Sequence, residues 1–177
     1  MSEKVFFPTV PIYLVVVLGI FGAAAGFFNV LYEESAAEKI SFFGNLVYTV
    51  SEIILISLIA YKLNKEEIKK PSYVLIASYA VLLGLAAIIS LMSEEISLIF
   101  DIINIILSII VGYAFISGEN TKKIGIWLLI TVVGGIIGLV FIGTGHTVSH
   151  NKLIIALLLL PTGVYLSSCM KYLTKTE

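Results

Sequence analysis

Between Ile96 and Gly112 the chain reads ISLIFDIINIILSIIVG, an apolar run that nevertheless holds Asp101, Asn104 and Ser108. An earlier run, GNLVYTVSEIILISLIAYKL, holds Asn45, Thr49 and Glu52. Asp101 and Glu52 are the only acids inside any apolar run of the sequence. An ionised carboxylate at the middle of a bilayer costs about 2.5 to 3.5 kcal/mol even on the lenient insertion scales. The two acids must therefore be buried between helices, neutralised, or used. The fold has to provide an interior for them.

Composition names the solvent. Hydrophobic residues make up 59% of the 177 positions and charged residues 13%, against about half and about a quarter in soluble domains. The mean hydropathy is +1.06. Loops between the apolar runs are too short for a soluble domain, so residues 1–177 are expected to form a single transmembrane domain. Six runs of about 20 residues suit a hydrocarbon core about 30 Å thick. The expected fold class is an all-α integral membrane protein with six transmembrane helices at about 10–32, 40–63, 71–92, 96–116, 124–143 and 152–173.

Orientation follows from the 11 lysines, which divide 9 to 2 under six crossings, with only Lys39 and Lys152 on the minority side. The positive-inside rule then places both termini in the cytoplasm and the chain in the cell membrane. The sequence has no arginine, the residue best suited to planar recognition of phosphate, which argues against nucleic acid as a partner. Cys169 is the only cysteine, so neither an intrachain disulfide nor a multi-cysteine metal site can form.

Glycines mark the packing faces. Gly19, Gly22 and Gly26 fall at steps of three and four in the first run, and small residues at such spacing let helix backbones approach closely. Gly134, Gly135 and Gly138 offer a similar cluster in the fifth run, while Gly118 lies in a lysine-bearing loop and reads as a tolerant position. Tyr61, Tyr113 and Tyr165 recur at intervals of 52 residues near the same end of alternate runs. Superposed on that interval, Glu52 falls on Asn104 and Thr49 on Asp101. This suggests three repeated helical hairpins.

With VLGIFGAAAG, LLGLAAI and VVGGIIGLV each followed by a second apolar run, the chain resembles the acid-resistance HdeD-type, short-repeat membrane proteins of unknown function. The resemblance spans about Tyr13 to Tyr172 and implies six spans built from three hairpins, with no known reaction.

Asn45, Thr49 and Glu52 share one helix face, as do Asp101, Asn104 and Ser108. Together they are expected to form an intramembrane polar seam. Such a seam either exchanges a proton or small solute, or ties helices together by interhelical hydrogen bonds. Pro161 interrupts the sixth run, freeing the carbonyl of Leu157, and is a candidate hinge. His146 and His150 read as loop histidines and only weakly as metal ligands, because no third ligand lies near them in sequence.

The sequence holds none of the motifs HExxH, GxSxG or GxxxxGK[ST], so no enzyme activity, catalytic residue, metal or cofactor is expected. The expected function is to bind or pass a small solute or proton through the seam. The alternative is a non-catalytic membrane interaction or auxiliary subunit, including a substrate-binding subunit of an energy-coupling importer. Expected partners are the lipid bilayer, a small solute or proton, and further copies or a larger membrane complex.

Overall fold

The computed structural model describes residues 4–26, 35–90, 94–143 and 148–174. They form six helices and no strand: α1 (Thr9–Gly26), α2 (Ser35–Lys65), α3 (Tyr73–Ser90), α4 (Glu94–Ile116), α5 (Lys122–Gly143) and α6 (Val148–Thr174). Residues 27–32 of the first expected helix lie outside the described residues. Helices α2, α4, α5 and α6 begin two to five residues earlier than hydropathy suggests. An apolar run marks the stretch that avoids water, whereas helical hydrogen bonding continues into polar ends rich in helix formers, such as SAAEK at the start of α2. Pro71 is not helical, because Ser72 occupies the cap position and its carbonyl accepts the Ile76 N–H at 3.2 Å.

By length and composition, two helices are apolar enough to cross a membrane: Thr9–Gly26, and the stretch Lys39–Lys65 within α2. Tyr73–Ile89 and Ile102–Ile116 are shorter apolar helices. Six equivalent spans were expected, and two meet the criterion among the described residues.

Each helix packs against its neighbours in sequence, and α6 returns to α1, so the six close into a ring. Helix α2 also reaches across to α6. It therefore lines the interior, and Leu55, Ile56, Ile59 and Leu63 are fully buried there. Ile76 of α3, Val111 and Phe115 of α4, Ile124 of α5, and Leu166 and Leu173 of α6 complete that core.

A close backbone approach joins α1 to α2. A Cβ on Gly22 would stand 2.6 Å from the Tyr48 amide nitrogen and 2.8 Å from the Gly44 carbonyl oxygen. One on Gly44 would stand 2.5 Å from the Gly26 nitrogen, and the Ser41 hydroxyl donates to the Gly26 carbonyl. The expected packing face of α1 is present, and its counterpart is the small-residue face Ser41, Gly44 and Ser51.

In α5 the expected cluster is not in contact at Gly135. The glycine in contact is Gly125, set against Gly112 and Ile116 of α4, whereas a Cβ on Gly135 would meet nothing within 4 Å. Gly134 is half-buried, and the surroundings of Gly138 lie outside the described residues. Gly118 is not a tolerant position either. It is buried in the α4–α5 corner, where an added Cβ would stand 2.6 Å from the Pro71 ring. A glycine run permits close approach without specifying where a neighbour crosses.

The link after α2 is a Schellman cap. The Ile68 N–H donates to the Leu63 carbonyl at 3.0 Å and the Glu67 N–H to the Asn64 carbonyl at 3.2 Å. This puts Glu67 in the left-handed region with φ 54°.

Candidate functional site

Glu52 is delivered to the interior by the periodicity of α2. It lies one turn before Leu55 and Ile56 on the buried stripe that continues through Ile59 and Leu63. The other helices facing it present largely apolar stripes that include hydroxyls: Tyr79 between Ile76 and Leu83 on α3, Ser108 before Val111 on α4, and Tyr165 before Leu166 and Cys169 on α6.

These groups converge. The Tyr165 hydroxyl donates to Glu52 Oε1 at 2.9 Å, and the Tyr79 hydroxyl approaches the same oxygen at 3.3 Å. Tyr79 Oη lies 2.8 Å from Ser108 Oγ, which in turn donates to the Asn104 carbonyl at 2.7 Å. The Tyr48 phenol, one turn before Glu52, adds a further contact to the carboxyl. Glu52 is 4% exposed, Tyr79 2% and Tyr165 0%, so water does not compete for these bonds.

Counting protons along this row sets its chemistry. Glu52, Tyr79, Ser108 and the Asn104 carbonyl form three successive contacts. A hydroxyl carries one proton and a carboxylate none. With Glu52 ionised, Tyr79 and Ser108 supply two protons for three contacts, so one contact lacks a proton. With Glu52 protonated, three protons fill three contacts, all running from Glu52 towards Asn104. Uptake of one proton thus reverses the Glu52–Tyr79 contact and fills the Tyr79–Ser108 contact without displacing a helix, while Ser108 keeps donating to the Asn104 carbonyl.

The expected six-residue seam is only partly assembled. Glu52, Asn104 and Ser108 belong to this row, Asn104 through its backbone. Asn45 and Thr49 do not. Thr49 donates to the Asn45 carbonyl of its own helix at 2.9 Å, and the exposed Asn45 side chain turns to Gly26 on α1. A shared face in sequence spans about 100° of a helix, and here the close crossing of α1 takes up its first half. Asp101 lies on α4, but its side chain is outside the described residues.

The sequence did not single out Tyr79 or Tyr48, although it held a signal for both: a phenol in an aliphatic run needs a partner when buried. Tyr165 was noted as a repeat marker, but the three marked positions are not equivalent. Tyr165 is fully buried, whereas Tyr61 and Tyr113 are 50% and 65% exposed. Ring closure against α2 gives α6 an environment that the other two positions lack.

Pro161 is buried within a continuous α6. His146 lies outside the described residues, as does the side chain of His150. Among the described residues no group of three or more His, Cys, Asp or Glu could hold a metal ion.

Two cavities flank this centre, and Glu52 borders neither. One is an apolar groove of about 520 Å³ between α2 and α3, lined by Ile53, Tyr61, Ala77 and Gly84. The other, about 610 Å³, opens at the end of the bundle where Lys4, Lys62, Lys123 and Lys171 meet. No protein family model matches this chain, and neither does any curated protein or solved structure.

Proposed function

We propose that this chain is an integral protein of the cell membrane, with six spans and both termini cytoplasmic, in which Glu52 takes up and releases a proton within the helix bundle. The observation carrying this reading is the Glu52–Tyr79–Ser108–Asn104 row, in which every contact holds a proton only when the carboxyl is protonated. The membrane part is supported by the outward faces. Val10 and Phe21 of α1, Val81 of α3 and Ile106 of α4 are 52–70% exposed, a distribution suited to lipid and unsuited to water. Four of the lysines assigned to the cytoplasmic side also gather at one end. We keep the likeness to the HdeD-type proteins as part of this reading.

A proton suits the site better than a larger solute, because the carboxyl is sealed by phenols and borders no described cavity. Infrared difference spectroscopy of the protein in lipid, between about pH 4 and pH 9, tests the proposal. A carboxyl band that changes with pH and vanishes in Glu52→Gln is expected. Absence of any such band, or its persistence in the variant, would overturn it.

A further inference from the structure

The cavity at the lysine end has the makings of a binding site outside the Glu52 row. It lies between the N-terminal segment, the end of α2, the start of α5 and the end of α6. Four lysines and two glutamates, Glu66 and Glu119, line it, an excess of two positive charges. Lys62 is held in its wall. It is 5% exposed, donates to the Tyr172 carbonyl at 3.0 Å, pairs with Glu66 at 3.9 Å, and lies 5.1 Å from the Tyr172 ring centre and 5.4 Å from that of Phe6. Lys123 and Lys171 are exposed at the rim. Ile124, Val164 and the Trp127 indole supply an apolar wall beside these cations.

A second observation points the same way. Tyr172 also lines the cavity and is 9% exposed, and its hydroxyl is buried with no hydrogen-bond partner among the described residues. Buried hydroxyls are ordinarily paired.

We infer that this cavity binds the phosphate headgroup of an anionic phospholipid, with Lys62, Lys123 and Lys171 around the phosphate and the Trp127 wall against the glycerol and first acyl carbons. A phosphate oxygen beside Lys62 gives the Tyr172 hydroxyl the partner that the chain does not supply. The apolar wall favours a lipid over a free phosphate ion, since an inorganic anion has nothing to place against Trp127. Basic pockets between helices on the cytoplasmic side recognise such headgroups. The inference rests on the membrane reading above but not on any role of Glu52.

Trp127 is the only tryptophan in the chain, so its fluorescence reports on the cavity directly. The full chain, purified in mild detergent, is titrated with phosphatidylglycerol, with phosphatidylcholine of the same acyl chains, and with inorganic phosphate. Saturable change with phosphatidylglycerol alone is expected, weakened about tenfold or more in Lys123→Gln/Lys171→Gln. Equal response to both lipids, or an unchanged midpoint in the double variant, overturns the site. A response to inorganic phosphate without one to phosphatidylglycerol overturns the lipid assignment. Alkaline extraction of cell membranes tests the membrane reading separately: a chain that stays in the pellet yet ignores phosphatidylglycerol disproves only the headgroup site.

Discussion

Tyr165 and Glu52 stand 113 residues apart in sequence and 2.9 Å apart in the bundle. The bond links the last helix to the second and gives a buried carboxyl a phenol contact shorter than that of Tyr79. Tyr165→Phe removes the donor and leaves the ring in place, so the expected loss is about 1 kcal/mol of stability. Tyr79→Phe should cost a similar amount. Because both hydroxyls serve one oxygen, the double variant should depart from additivity by about 0.5 kcal/mol or more. Thermal unfolding in detergent measures all three, and strict additivity would show that the two phenols act independently.

The α1–α2 crossing leaves no space for a methyl group. Gly22→Ala and Gly44→Ala each press a Cβ against backbone, and each should cost about 1 to 3 kcal/mol. Gly135→Ala meets nothing and should be neutral or stabilise by up to about 1 kcal/mol. Equal melting temperatures for the three variants would mean that the crossing is wider than described.

At the end of α2, Glu67 holds a left-handed conformation that glycine adopts without strain. Glu67→Gly should therefore stabilise the protein by about 0.5 to 1 kcal/mol, whereas Glu67→Val should destabilise it. A lower melting temperature for the glycine variant would point to a tertiary role for the Glu67 carboxylate.

Topology can be read with thiols, because Cys169 is fully buried and should contribute little background labelling. In intact cells, an impermeant maleimide should label Ala36→Cys and leave Glu119→Cys untouched, both positions being exposed. The reverse pattern would place the lysine-rich end outside.

Periodicity and hydropathy were enough to place six helices, the inward turn of Glu52 and the small-residue face of α1, since each depends on local spacing along one helix. What they could not locate was the other half of each contact. Gly44 is a lone glycine in its run and Gly135 belongs to a cluster, yet the lone one meets a backbone and the clustered one open space. Tyr79 and Tyr165 reach Glu52 because the ring closes with α2 across from α6, a fact of three-dimensional order that no window of sequence contains. The seam was overextended for the same reason: Asn45 shares a face with Glu52, but α1 packs against Asn45 and occupies that half of the face.

Ring closure has a consequence for how the protein is made. A chain emerging from its N-terminus delivers α2 well before α6, so Glu52 first meets Tyr48 and Tyr79 and waits for Tyr165. Until the last helix arrives, the acid lacks the Tyr165 donor and the ring lacks the helix that seals it. An unfinished or wrongly inserted chain thus holds the acid with one donor fewer, and the carboxyl is expected to act as a mark of incompleteness. A chain ended before Val148 should be degraded faster in cells than the same truncation carrying Glu52→Leu, and equal half-lives in a pulse-chase experiment would remove that role from the carboxyl.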